Sequence, residues 1–76
     1  MKLYCPRWFD GKKPENYDED VEKYYAKLNE IQETAVDVEY EPGDFYDEMD
    51  YTMPDGSVWR RVINTEYNLE YSLEEV

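Results

Sequence analysis

Two different hydrophobic spacings divide this chain. Between residues 17 and 34, apolar side chains recur at steps of three and four, which is the period of an amphipathic helix. From residue 36 onward, apolar and polar residues alternate, which is typical of strands with one buried face. The sequence therefore predicts a helix over residues 17–34, followed by strands. The apolar stripe of the helix consists of Val21, Tyr24, Tyr25, Leu28, Ile31 and Ala35.

Turn signals separate the predicted strands. Pro42-Gly43 lies between strands over residues 36–41 and 44–53. The segment 53–57, Met-Pro-Asp-Gly-Ser, places proline and glycine where a hairpin needs them, and it precedes a strand over residues 58–63. Consecutive strands joined by such short turns predict an antiparallel sheet.

The two ends of the chain add further elements. Residues 2–9 are rich in aromatic residues and predict an extended segment, followed by a turn over residues 10–14. Because proline cannot donate to a strand ladder, Pro6 places this segment at a sheet edge or ends it there. Residues 67–73 alternate again, which fits either a final strand or a short helix.

Together these elements predict an α+β fold in a single domain over residues 1–76. One amphipathic helix packs on a small twisted antiparallel sheet, in the order β-α-β-β-β with a fifth strand if residues 67–73 are extended. A chain of 76 residues supports no more than one such core.

Tight turns would fix which strand residues lie opposite each other. Val36 is predicted to lie opposite Met49, and Tyr51 opposite Trp59. These registers place one set of apolar side chains on the helix side of the sheet: Val36, Val38, Tyr40, Phe45, Met49, Tyr51 and Trp59.

The charge is concentrated in the middle of the chain. The net charge is −12, and residues 15–50 carry fourteen acidic and two basic residues. The same registers place six of these carboxylates and one tyrosine on the sheet face opposite the apolar one. Because like charges on neighbouring strands repel each other, this face indicates either a binding surface or a solvated surface that maintains solubility. Its residues are Asp37, Glu39, Glu41, Asp44, Tyr46, Glu48 and Asp50.

Other charged residues have local interpretations. Asp18 and Asp20 lie in the first turn of the predicted helix, where they either extend the acidic surface or complement the helix macrodipole. Asn16 or Asp18 is predicted to cap that helix. Asp47 and Arg61 fall on the apolar side of the sheet, where they are expected either to pair with each other at the core margin or to be an exception at a sheet edge.

Composition argues against several classes of function. A strongly acidic chain opposes direct binding to nucleic acid or to an anionic membrane, because those partners require lysine and arginine. The chain has no histidine and a single cysteine, Cys5, so neither a zinc site nor an internal disulfide is expected. Residues 44–50 lack the spacing of a calcium loop. We therefore expect no metal and no cofactor.

No enzymatic activity is expected either. Cys5 has no histidine to activate it, no glycine-rich phosphate loop is present, and a domain this small has little room for a cleft that shifts carboxylate pKa values. No apolar run approaches the roughly 20 residues of a membrane span. The first residues lack the apolar core of a signal peptide. These features predict a cytoplasmic protein.

In size and charge, this acidic, histidine-free α+β chain resembles the small inhibitors that phages and mobile elements encode. Those include anti-restriction, anti-repair and anti-CRISPR proteins, several of which mimic DNA; the resemblance is one of class alone. It implies a stoichiometric inhibitor in a bacterial host cell, whose acidic surface occupies the basic groove of a nucleic-acid-binding protein. Two alternatives remain: an acidic adaptor domain that binds through an aromatic patch or a sheet edge, and a small virion assembly protein.

Overall fold

The computed structural model describes residues 1–8 and 11–76; Phe9 of the predicted first strand and Asp10 of the predicted turn lie outside this range. The described residues form one helix and five strands, and the strands make a single antiparallel sheet in the order β1-β5-β4-β3-β2. This arrangement confirms the predicted α+β fold and resolves the C-terminal segment as a strand. The elements are β1 (Lys2–Tyr4), α1 (Tyr17–Thr34), β2 (Asp37–Glu41), β3 (Tyr46–Thr52), β4 (Val58–Asn64) and β5 (Leu69–Glu75).

The first strand is short and lies at a sheet edge, as its proline predicts. β1 pairs with β5, placing Leu3 opposite Leu73. One further backbone bond, from the Cys5 amide to the Tyr71 carbonyl at 2.9 Å, extends the pairing past the strand. Pro6 follows at a position whose amide would point away from β5, and the pairing described for this segment ends at Cys5.

The β2–β3 and β3–β4 hairpins differ in how well their registers were predicted. The 53–57 turn sets Tyr51 opposite Trp59, as expected. The preceding register was wrong: Met49 lies opposite Tyr40 instead of Val36, because six residues, 42–47, separate the last opposed pair, Glu41 and Glu48, rather than the two expected. The displacement is an even number of residues, so every side chain keeps its predicted face.

The Asp47 carboxylate accounts for the longer β2–β3 loop. It accepts a hydrogen bond from the Gly43 amide at 3.1 Å and one from the Tyr40 hydroxyl at 2.7 Å. A Cβ atom at Gly43 would collide with the backbone carbonyl of Tyr46, so the loop can fold this tightly only with glycine there. Asp47 therefore stabilises the loop. Its expected pairing with Arg61 does not form.

The core lies between α1 and the three central strands. It consists of Tyr24, Leu28 and Ile31 from the helix, with Tyr51, Trp59 and Leu73 from the sheet. The predicted stripe is correct in period, but only Tyr24, Leu28 and Ile31 among its members are buried. Tyr24 is buried whereas Tyr25 is 42% exposed. Tyr24 can occupy the core because its hydroxyl donates to the Glu70 carboxylate at 3.1 Å, which satisfies the buried polar group.

Arg61 pairs with Glu70, and an irregularity in β5 explains why. The ladder shifts between Val62 and Ile63, so that Glu70 lies opposite Ile63 while Ser72 lies opposite Val62, and Tyr71 becomes an extra, bulged residue. The bulge turns the Glu70 side chain to the helix side. There the Arg61 guanidinium donates to both carboxylate oxygens, with Nε–Oε1 at 2.9 Å and Nη2–Oε2 at 2.5 Å.

Alkaline pH is expected to destabilise the fold through Tyr24. Burial raises the pKa of Tyr24, and the nearby Glu70 carboxylate raises it further. Above about pH 10 the unfolded phenol ionises while the folded one stays protonated, so this contribution to stability is present below that pH and lost above it. In urea unfolding between about pH 8 and pH 11, wild type should lose more stability than Tyr24→Phe. Parallel curves for the two proteins would contradict this assignment.

Candidate partner-binding face

Helix α1 covers one face of the sheet and leaves the other uncovered. Along β3 and β4 the core residues Tyr51 and Trp59 point toward α1, so their neighbours Asp50 and Arg60 point the opposite way. We call this second side the open face. Its charged and aromatic residues are Lys2, Tyr4, Asp37, Glu39, Glu41, Tyr46, Glu48, Asp50, Arg60, Tyr71 and Glu74.

Carboxylates from β2 and β3 lie directly opposite each other on the open face. Glu39 lies opposite Asp50, and Glu41 lies opposite Glu48. These four acidic residues border an open depression of about 340 Å³. The structure thus brings together most of the predicted acidic array, in a different register.

Arg60 partly neutralises the β3 side of this array. Its guanidinium donates to both oxygens of Asp50, at 3.0 and 3.2 Å, and lies 3.6 Å from Glu48. The hydrogen bond to Asp50 raises the pKa of Arg60 further above its usual range. On the other side of Arg60, Glu74 pairs with Lys2 at 3.3 Å. Opposite charges therefore alternate across the centre of the sheet.

The carboxylates of β2 differ from those of β3 in their ion pairing. Among the described residues, Asp37, Glu39 and Glu41 have no ion-pair partner, and every residue of β2 is exposed. With Glu48 and Asp50 they make five carboxylates against the single guanidinium of Arg60. The β2–β3 half of the open face is therefore strongly negative. We call these five residues the carboxylate patch.

Three other residues predicted for this surface lie elsewhere. Asp44 lies in the β2–β3 loop, outside the strand predicted to contain it. Asp18 and Asp20 lie on α1, on the opposite side of the sheet from the carboxylate patch, and Asp18 pairs with Lys13 at 2.9 Å. Asn16 occupies the N-cap position with a left-handed backbone and makes no side-chain cap bond, so neither predicted capping interaction is present.

Tyrosines form a second feature of the open face, next to the carboxylate patch. The Tyr71 ring lies 5.7 Å from that of Tyr4 and 5.4 Å from that of Tyr46, measured between centroids. The Arg7 guanidinium lies 5.4 Å from the Tyr71 ring centroid, and Lys2 lies 5.0 Å from that of Tyr4. Tyr46 was predicted for this face. Tyr4 and Tyr71 were not assigned to it, because they come together only through the β1–β5 pairing and the bulge.

Other chemistry on the molecule is limited. In the parts of the chain that the structure describes, no group of three acidic, cysteine or histidine residues is arranged to hold a metal ion, and no helix is long and apolar enough to cross a membrane. Burial, together with the Glu70 carboxylate, raises the pKa of the Cys5 thiol. A thiol with a raised pKa is a poor nucleophile at neutral pH.

The geometry thus offers a rigid acidic patch beside a tyrosine cluster. A comparison with protein-family models found no family that matches the sequence, and comparisons with curated proteins and with solved structures found no match either.

Proposed function

We propose that this protein is a stoichiometric inhibitor that mimics nucleic acid. Its carboxylate patch would occupy the basic groove of a host nucleic-acid enzyme or defence complex, in the manner of anti-CRISPR and anti-restriction proteins of phages and mobile elements. The observation that carries the proposal is the set of three carboxylates on β2 that have no ion-pair partner within residues 1–8 and 11–76, next to two more on β3 and uncovered by the helix.

The spacing of the patch suits a surface that binds phosphates. Carboxylates two residues apart on one strand lie about 7 Å from each other, and neighbouring strands are about 5 Å apart. Lysine and arginine side chains in a groove built for a polyanion are similarly close together. Because the strands fix the carboxylates in place, binding orders fewer groups than a flexible acidic tail would require. The negative field also speeds encounter with a basic partner.

The charges on the rest of the open face restrict how a basic partner can be oriented on it. Lys2 and Arg7 lie at the β1–β5 side, so positive charge marks the limit of the acidic surface. Tyr46 lies between the two halves and is partly exposed. Its ring can accept a guanidinium from the partner, as aromatic rings beside carboxylates do at many interfaces.

Charge reversal on β2 tests this function without breaking a native ion pair. Asp37, Glu39 and Glu41 replaced together by Lys should retain the fold, since the new side chains at positions 39 and 41 face Asp50 and Glu48. Affinity for a partner captured from bacterial lysate should fall by about tenfold or more at low salt. Calorimetry at two salt concentrations measures this loss.

A matched control variant separates the effect of the carboxylate patch on affinity from the effect of net charge. Glu22, Glu30 and Glu33 are exposed on α1, and their replacement by Lys changes the net charge by the same amount on the other side of the sheet. This variant should bind much more tightly than the β2 variant. Wild-type binding should weaken steeply with salt, and added DNA or RNA should compete for the partner. Equal affinities for the two variants would overturn the proposal.

The tyrosine cluster supports a second candidate, an adaptor domain that docks through aromatic side chains. Tyr4 and Tyr46 are exposed beside Tyr71, and tyrosine is enriched at protein interfaces. Under this alternative, Tyr46→Ala would abolish binding, the β2 charge reversal would leave it unchanged, and salt would have little effect.

A further inference from the structure

The outer edge of β2 is an unpaired strand edge. In the described part of the chain, β3 flanks β2 on one side and no strand flanks it on the other. The opposite edge, β1, has three residues, whereas β2 has five. An edge of this kind presents free backbone groups to any extended chain that approaches it.

The alternation of backbone bonds identifies the free groups. Met53 donates to Ser57 and Phe45 accepts from Thr65, which fixes the odd-numbered residues in and around β3 as those bonded toward β4. The even-numbered residues of β3 therefore bond toward β2, where their partners are Asp37, Glu39 and Glu41. It follows that the N–H and C=O groups of Val38 and Tyr40 point away from the sheet.

The helix side of this edge is apolar and uncovered. α1 packs over Tyr51, Trp59 and Leu73 of the central strands, and every residue of β2 remains exposed. The hydrophobic residues at this edge and its loop are between 46% and 67% exposed. They are Val36, Val38, Tyr40 and Phe45.

We propose that the β2 edge accepts an extended segment of the partner protein as a sixth strand, and that this segment alternates basic and apolar residues. An added strand places its side chains alternately on the two sheet faces. On the open face they meet Asp37, Glu39 and Glu41, which favour lysine and arginine. On the helix side they meet Val38 and Tyr40, which favour apolar side chains.

Charge argues against a second copy of this chain as the occupant. Antiparallel pairing of two β2 edges would set the carboxylates of Asp37, Glu39 and Glu41 against the same residues of the other copy. Like charges on directly opposed strands destabilise the pairing. A basic strand has no such penalty. The inference rests on the proposed function for the identity of the partner, which is basic, and adds the way in which it is held.

Two synthetic peptides test the edge directly. One alternates lysine with valine or tyrosine, and the other has the same composition with all lysines in one half. On NMR titration of the full chain, the alternating peptide should bind about tenfold more tightly than the block peptide and should slow hydrogen exchange at the Val38 and Tyr40 amides. Equal binding of both peptides, or unchanged exchange at these amides, would overturn the inference.

Variants at Val38 separate backbone pairing from charge. Val38→Pro removes an outward-pointing donor and should weaken the alternating peptide about tenfold while the NMR spectrum of the fold is retained. Val38→Thr keeps the donor and the branched shape, and should bind close to wild type. Self-association through β2 in sedimentation would point to a second copy as the occupant and contradict the inference.

Binding of these variants to the partner captured from lysate distinguishes strand addition from the proposed inhibitor function. If Val38→Pro binds that partner normally while the β2 charge reversal does not, the inhibitor proposal stands and strand addition is wrong. If Val38→Pro loses the partner and added DNA or RNA does not compete for it, strand addition stands and nucleic-acid mimicry is wrong.

Discussion

Replacing Arg61 with methionine is expected to lower the free energy of unfolding by about 3–5 kcal/mol. The Arg61 and Glu70 side chains are only 17% and 10% exposed, so removing the guanidinium leaves a carboxylate with little access to water. The Tyr51 hydroxyl, 3.2 Å from Arg61 Nη1, also loses the donor from which it accepts. Hydrogen bonding to Glu70 raises the pKa of Arg61, so the group stays charged at every accessible pH. Urea unfolding measures the loss.

The neighbouring arginine provides a matched control. Arg60 has the same side chain on the same strand, but its pair with Asp50 is 39% and 29% exposed. Arg60→Met should therefore cost no more than about 1 kcal/mol. A comparable loss for both arginines would show that the Arg61–Glu70 pair has no special role.

Replacing the whole buried network should be far less damaging than breaking it. The triple variant Arg61→Met, Glu70→Leu and Tyr24→Phe removes the cation, the anion and the hydroxyl that donates to the anion. Apolar side chains of similar size in place of a buried ion pair are often neutral or stabilising. This variant should therefore be more stable than Arg61→Met alone. A triple variant less stable than Arg61→Met would show that the loss came from packing rather than from an unpaired charge.

Leu28→Ala is expected to destabilise the protein by about 2–5 kcal/mol. Leu28 is buried at the centre of the helix, between Tyr24 and Ile31, and belongs to the cluster with Trp59. A loss of this size is a large part of the stability of a domain of 76 residues, for which roughly 4–11 kcal/mol is typical. Thermal unfolding should show a clearly lower midpoint.

An exposed helix position provides the comparison for Leu28. Asn29 is the next residue and lies on the exposed side of α1. Asn29→Ala should change stability by no more than about 0.5 kcal/mol, because it removes no buried contact. If Leu28→Ala and Asn29→Ala unfold at the same temperature, the helix face assigned to the core is wrong.

Local patterns in the sequence were enough to predict the helix and one hairpin. The spacing of Tyr24, Leu28 and Ile31 predicted a helix with the observed bounds, because a single periodic stripe must face a core. The β3–β4 register followed from the proline and glycine of the 53–57 turn, since a short loop leaves few alternatives. Both predictions depend on residues close together in the chain.

The remaining features depend on contacts between distant residues. The length of the β2–β3 loop is set by the Asp47 carboxylate folding back on Gly43, which alternation does not reveal. The bulge at Tyr71 places Glu70 on the opposite face of the sheet from the one that alternation predicts. The partner of Arg61 was therefore predicted wrongly. A strand pattern carries no signal for one extra residue, because the side chains on either side of it still alternate.

The candidate site was predictable to a similar extent. Alternation alone placed Glu39, Glu48 and Asp50 on one face, and this survived the register error because the displacement was even. The position of Arg60 opposite Asp50 follows from the same turn that sets Tyr51 opposite Trp59, but the contact of Arg60 with Glu48 does not follow from it. Such a contact depends on where a long side chain settles between strands, which the order of residues does not specify.

The extra residue in β5 has a consequence for how this protein can change in length. Without Tyr71, Glu70 and Ser72 would be adjacent in sequence and would lie opposite Ile63 and Val62 in a continuous ladder. Deleting Tyr71 would therefore leave the Arg61–Glu70 pair and the core in place, and would remove one backbone bond with Cys5 and the central ring of the tyrosine cluster. The tyrosine cluster therefore depends on one extra residue, Tyr71, which the core does not need. A lineage could gain or lose it in a single codon.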